Sequence, residues 1–130
     1  MICMDANALM MPVECNVRVF EQLDRLLGEE GVEGDEFGVP RAVLAELERL
    51  AEGAGEAATA AGVGLDLARE RCRALDHEAD SGDAAVFECA TRETVTHAVT
   101  NDRTLRERLL DAGVPVISLR ARNELAVTQP

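Results

Sequence analysis

The chain has 130 residues, 47% of them hydrophobic, enough for one compact domain whose core needs no staples. Acids outnumber bases by 25 to 13, leaving a formal charge of −12, and every base is arginine because lysine is absent. Taken over the whole chain, that balance argues against a nucleic-acid partner, and no apolar run approaches the ~20 residues that cross a bilayer.

In chain order, "ICMDANAL" is a short apolar run broken at Asp5 and Asn7, which predicts a first strand and the turn after it. Val17, Phe20, Leu23, Leu26 and Leu27 recur at helical spacing, with Gly28 as the stop. "EFGVP" predicts a second short strand, and Val43, Leu44, Leu47 and Leu50 a second amphipathic helix that fades at Gly53. "GAGEAATAAGVG" is either a connection or the start of a small-residue helix. Residues 65–75 read as helix and "DHEADSGD" as a polar turn. Residues 84–92 then form a short helix with Val86, Phe87 and Ala90 inward. "VTHAVT" alternates like a strand, "RTLRERLLDAG" is a helix closed by Gly113, and "VPVISL" ends the core. Residues 1–124 form a single domain in this reading, and 125–130 a C-terminal tail. Strands alternating with helices require crossover connections, hence a mostly parallel sheet covered on both faces.

The N-terminus lacks the basic-then-apolar order of a secretory signal, so the expected location is cytoplasmic. Cys3, Cys15, Cys72 and Cys89 show no C-x-x-C spacing and sit in apolar or amphipathic runs, reading as buried thiols. An acidic, lysine-free surface fits a halophilic cytosol, where screening over ~3 Å at 1 M weakens repulsion between carboxylates. The charge objection to nucleic acid weakens where arginines cluster, at Arg69, Arg71 and Arg73, at Arg103, Arg106 and Arg108, and at Arg120 and Arg122.

Four acids take particular places on this frame. Asp5 ends the first strand, Asp102 ends a later one, Asp83 opens a helix, and Glu46 lies at the margin of an apolar helical stripe. Ligand crevices of parallel sheets lie at the carboxyl ends of the strands, where a buried carboxylate is costly unless a cation neutralises it. With no lysine available, a hard divalent ion such as Mg²⁺ or Mn²⁺ is the economical partner; it could activate water against a phosphodiester. Each acid also has a plain structural reading: a turn residue for Asp5, a solvated helix acid for Glu46, a dipole complement for Asp83, an N-cap for Asp102. For Asp102 the cap is less necessary, because Thr104 and Glu107 offer the next helix a T-x-x-E capping box of its own.

The series "MDANAL", "VPRAVLAELERL", "GDAAVFECA" and "VTNDRTLRERLLDAGVPVISL" resembles a PIN domain, in particular the small archaeal PIN proteins. The resemblance runs over nearly the whole chain, weakest in the Ala/Gly-rich middle, with Ala6 departing from the Thr or Ser common after the first acid. It implies a three-layer α/β/α fold and a metal-dependent endoribonuclease. The family's four acids fall on Asp5, Glu46, Asp83 and Asp102, holding Mg²⁺ or Mn²⁺. Asn7, Thr100 and Asn101 match the polar residues that flank such pockets. Arg41, Arg103 and Arg106 are the candidates for RNA phosphate contacts, each with a surface ion pair as the plain alternative. His97, within a strand, reads as a hydrogen-bonded structural histidine.

A phosphoacceptor receiver domain shares acids at strand ends but depends on a strand-end lysine, which this chain lacks. The other alternative is a PIN-like protein without activity, acting as a binding module in an RNA-processing assembly. Within the nuclease class, the sequence is compatible with a VapC-like toxin that has an antitoxin partner and with a ribosomal-RNA-processing enzyme with ribosome-assembly partners. A homodimer is common in the family. Aromatics make up 2% of the chain, leaving little surface for base stacking.

Overall fold

The computed structural model describes residues 1–32 and 36–130. In chain order the elements are β1 (Ile2–Met4), α1 (Ala6–Glu14), α2 (Val19–Glu29), β2 (Phe37–Pro40), α3 (Arg41–Ala51) and α4 (Gly55–Arg71). They are followed by β3 (Cys72–Leu75), α5 (Gly82–Ala90), β4 (His97–Val99), α6 (Arg103–Asp111), β5 (Val116–Ala121) and β6 (Glu124–Thr128). The strands form one sheet in the order β3-β2-β1-β4-β5-β6, parallel except for β6, which runs antiparallel to β5. All three residues of β1 are fully buried, as are Ala98 and Val99 of β4. Consecutive strand residues point to opposite faces, so this burial means that helices cover both sides of the sheet centre, as expected.

Three elements depart from the sequence reading. The turn expected after β1 is the helix α1, whose residues Ala6, Ala8, Leu9, Met10 and Met11 are buried on nearly every side. A helix apolar all round shows no 3.6-residue alternation, and Pro12 inside it further masks the pattern. The helix expected over residues 65–75 stops at Arg71, and the remaining residues are the edge strand β3, paired from Phe37↔Cys72 to Pro40↔Leu75. The tail expected over residues 125–130 is largely β6. Leu125 is buried there, and α2 grips the preceding turn, Gln22 donating to the Asn123 carbonyl at 2.7 Å and accepting from Leu125 N at 2.7 Å. Two smaller points also differ. Helix α2 runs past Gly28, and the left-handed residue that follows it is Gly31, with φ 76°. Phe87 is only half-buried, covered by the Arg108 guanidinium 4.4 Å from its ring centre.

The Ala/Gly-rich stretch, left open between connection and helix, forms the first half of α4. Its buried residues Ala60, Ala61, Gly64, Leu65 and Ala68 follow helical spacing on one small-residue face that packs on α1. The approach is close, since a Cβ at Gly64 would lie 2.6 Å from the Leu9 carbonyl oxygen. At the other flank Phe20 and Phe37 meet edge to face at 5.0 Å, and Arg71 lies over both rings, 4.7 Å from the first and 5.5 Å from the second. Cys3 and Cys89 are buried and all four cysteines are free; burial pushes the Cys72 thiol up to about 12 and Cys3 further still. Among the described residues no helix is long and apolar enough to cross a membrane.

The α1–α4 contact yields a paired test. Gly64→Ala forces a methyl against backbone and should cost about 1–3 kcal/mol in urea unfolding. Gly62→Ala, on the same helix with nothing within 4 Å of the added carbon, should instead stabilise by about 0.5–1 kcal/mol through helix propensity.

Candidate active site

From β1 the sheet grows through β2 and β3 in one direction and through β4, β5 and β6 in the other. The order therefore reverses between β1 and β4, and the carboxyl end of that gap is where a parallel sheet opens a crevice. Asp5 directly follows β1, and Thr100, Asn101 and Asp102 follow β4. Asp5 is 3% exposed, yet each of its carboxylate oxygens is held. Oδ1 accepts the Ala6 N–H at 2.7 Å, which caps α1; Oδ2 accepts the Thr100 hydroxyl at 2.6 Å and the Asn7 amide at 2.9 Å. Asn7 also donates to Thr100 Oγ1 at 3.3 Å and accepts the Asn101 N–H at 2.9 Å, while Asn101 Oδ1 accepts Leu119 N of β5 at 2.9 Å. The three flanking residues expected from sequence are thus brought together, joining the ends of β1, β4 and β5. Much of their hydrogen bonding is turned inward, onto Asp5 and one another.

Burial is the largest influence on Asp5 and pushes its carboxyl above the usual carboxylate range. The Thr100 and Ala6 hydrogen bonds oppose this, while the charges of Asp83 and Glu46 raise it further. Asp83 and Glu46 are therefore both within electrostatic reach of Asp5. Glu46 is half-buried on α3, and a Cβ at Gly82, the first residue of α5, would sit 2.9 Å from Glu46 Oε2. The absent side chain lets the Glu46 carboxylate approach the N-terminus of α5, the end that favours negative charge. Sequence reasoning missed Gly82; in "DSGD" it looks like any turn glycine, and only its neighbour from α3 gives it a role. Asp83, the next residue, is exposed.

Asp102 requires a correction. It is the N-cap of α6, its Oδ1 accepting Leu105 N at 2.8 Å, and the capping box expected at Thr104 and Glu107 does not form. The helix begins at Arg103, two residues too early for Thr104 to cap it, and Glu107 pairs instead with Arg103 at 3.3 Å. The cap engages one oxygen of Asp102, while its backbone N–H donates to Thr100 Oγ1 at 3.1 Å. The single Thr100 hydroxyl therefore touches both strand-end acids.

Arg41 pairs with Asp76 and Arg103 with Glu107, whereas Arg106 has no ion-pair partner among the described residues. His97 is 5% exposed at the opposite, amino end of β4, hydrogen-bonded to Thr96 and, at 2.7 Å, to Glu30, the C-cap of α2. Elsewhere Asp24, Glu36, Glu48, Asp76, Glu88, Glu107 and Glu124 each pair with an arginine. Among the described residues, Asp5, Glu46, Asp83 and Asp102 are in none of these pairs. Nor does any group of three or more acid, histidine or cysteine side chains there stand close enough together to hold an ion as placed. The donor set itself, all carboxylate oxygen with no compensating cation, fits a hard divalent ion.

With this edge in view, comparison places the chain in a family. The family model described as a PIN-like domain matches residues 2–122, and the chain belongs to that family. Among solved structures it is similar to "Structure of the PIN domain endonuclease Utp24", at 22% identity and a TM-score of 0.79, over 99% of this chain and 91% of that one. That likeness shows the fold. No curated protein is a match in sequence.

Cap and charge at Asp102 can be separated. Asp102→Ala should lose about 1 kcal/mol of stability in thermal or urea unfolding, whereas Asp102→Asn, which caps nearly as well, should stay within about 0.5 kcal/mol of the parent. A large stability loss in the Asn variant would show that the charge, rather than the cap, holds α6.

Proposed function

We propose that this protein is a Mg²⁺- or Mn²⁺-dependent endoribonuclease that hydrolyses RNA phosphodiester bonds at the carboxyl edge of its sheet, with Asp5, Glu46, Asp83 and Asp102 as the acids that hold the metal. The observation that carries this reading is Asp5, a carboxylate 3% exposed at the switch point of a PIN-family fold, held only by neutral donors and burdened further by the charges of Asp83 and Glu46. Bound there, a divalent ion supplies an activated water and positive charge for the attacked phosphate.

The chain's own residues prepare that chemistry. Thr100 and Ala6 N–H stabilise the charged form of Asp5 against the burial that opposes it, so its carboxylate is oriented while it remains short of a counter-charge. Capping engages only Oδ1 of Asp102, and Glu46 approaches Gly82, the residue before Asp83. Arg106 is available for an RNA phosphate, and Arg41 and Arg103 can exchange exposed ion pairs for one. Asn7, Thr100 and Asn101 flank the substrate position while shaping its floor. Cleavage by this route leaves 5′-phosphate and 3′-hydroxyl ends.

The test is cleavage of mixed RNA with Mn²⁺ at high salt. Asp5→Asn, Asp83→Asn and Asp102→Asn should each lower the rate by about 100-fold or more, as for loss of groups that hold a metal. Activity equal to the parent in all three would indicate a contaminant and favour the inactive binding module. In a second measurement, Mn²⁺ at ~100 times its Kd should stabilise the parent by about 2.7 kcal/mol in thermal unfolding, and the Asp5→Asn variant far less. Gly82→Ala, which can only be accommodated by moving the flexible Glu46 carboxylate, should weaken Mn²⁺ binding about 10-fold while the fold persists.

A further inference from the structure

The loop of residues 76–81, between β3 and α5, is held by side chains from two helices. Glu88 of α5 accepts Glu78 N, at 3.2 Å and 3.0 Å to its two oxygens, and Ala79 N at 3.0 Å. Arg92, just past α5, donates to the Asp76 carbonyl at 2.6 Å and pairs with Glu88 at 3.3 Å. A further tie comes from the loop itself. His77 Nε2 lies 3.0 Å from Ala42 N in the first turn of α3, and His77 Nδ1 lies 2.9 Å from the Ala79 carbonyl.

Chemistry fixes the histidine's form. A backbone N–H must donate, so Nε2 accepts; a carbonyl must accept, so Nδ1 carries the proton. The ring is the neutral Nδ1–H tautomer, because an imidazolium would set a second N–H against Ala42. Helix α3 needs such an acceptor, since its N-cap is Pro40, which offers no side-chain oxygen to the orphan amides of the first turn. Ala42 is four residues before Glu46, one helical turn along the same face of α3, and Ala79 is four residues before Asp83. One imidazole therefore spans the segments that carry two of the unpaired acids.

We propose that His77 is a positioning residue: as the neutral Nδ1–H tautomer it brackets α3 to the loop before α5 and sets the spacing of Glu46 and Asp83. The proposal rests on the nuclease reading above for its catalytic consequence, though not for the bracket itself. Glu88 and Arg92 hold the α5 side of the same loop, and Asp76 with Arg41 adds an exposed pair between loop and helix.

The experiment uses the full chain with His77→Ala and His77→Gln. The Gln variant keeps an oxygen able to accept from Ala42 N but has no ring and no titration. Nitrogen–proton correlation in the parent should show His77 protonated at Nδ1. Exchange of the Ala42 amide should speed by on the order of tenfold in His77→Ala and return toward the parent in His77→Gln. With RNA and Mn²⁺, His77→Ala should lower kcat by about 10-fold with KM within about twofold, and His77→Gln should recover most of that loss. An Nε2–H tautomer overturns the proposal. So does unchanged kcat in His77→Ala when Asp83→Asn abolishes cleavage, or a kcat loss in His77→Gln as deep as in Ala despite restored Ala42 protection. Unchanged cleavage in Asp83→Asn and Glu46→Gln instead overturns the nuclease reading, and the catalytic half of the proposal with it; the tautomer and the Ala42 exchange still decide the bracket.

Discussion

The Thr100 hydroxyl donates to Asp5 across the gap between β1 and β4, and the same oxygen receives Asp102 N and the Asn7 amide. The other features of the carboxyl edge follow from this contact. It anchors the carboxylate that starts α1, sets the height of Asp102 where α6 begins, and through Asn7 and Asn101 ties the ends of β1, β4 and β5. A buried carboxylate with only neutral donors is an unfavourable arrangement on its own, because hydrogen bonds offset only part of the desolvation of charge. The structure tolerates it at the centre of its sheet, and the neighbouring charges of Asp83 and Glu46 increase the cost. Such tolerated instability is characteristic of sites that are completed by a ligand.

The distribution of cations gives the same picture from the outside. With arginine as the sole base, the guanidinium groups are drawn to exposed carboxylates and to rings: Arg71 lies over Phe20 and Phe37, and Arg108 over Phe87. Planar guanidinium suits both kinds of partner better than an ammonium would. Among the described residues, none of these guanidinium groups forms an ion pair with Asp5, Glu46, Asp83 or Asp102, although the chain carries 13 of them.

The sequence was most readable where elements are amphipathic or end in recognisable turn chemistry. Helices α2, α3 and α6 face core on one side and solvent on the other, so their periods show. Helix α1 was hidden because burial on nearly all sides removes the period, and β3 because four residues after a long helix carry too little alternation to break it. Strand β6 depends on Gln22, a partner 103 residues away from Leu125. Among the acids, Asp5 and Asp102 could be located from strand ends. The capping box suggested at Thr104 and Glu107 was a false signal, because a T-x-x-E pattern does not determine where a helix starts. The closeness of Glu46 to Gly82 was illegible, since it depends on how α3 and α5 pack. Family resemblance, more than spacing, grouped Glu46 and Asp83 with the strand-end acids.

The contacts that build the carboxyl edge join distant parts of the chain: Asp5 to Thr100 across 95 residues and Asn7 to Asn101 across 94. During translation the first acid emerges long before the hydroxyl that holds it, and Leu119, which anchors Asn101, emerges later still. A nascent chain therefore has no assembled pocket until almost all of its strands have been made. A truncated product retaining β1 through α5 would carry three of the four acids without the strand that arranges them. Such long-range closure also slows folding relative to a helical domain of the same length. The order of synthesis thus leaves this edge unformed until residues 100–119 have joined the strands made before them.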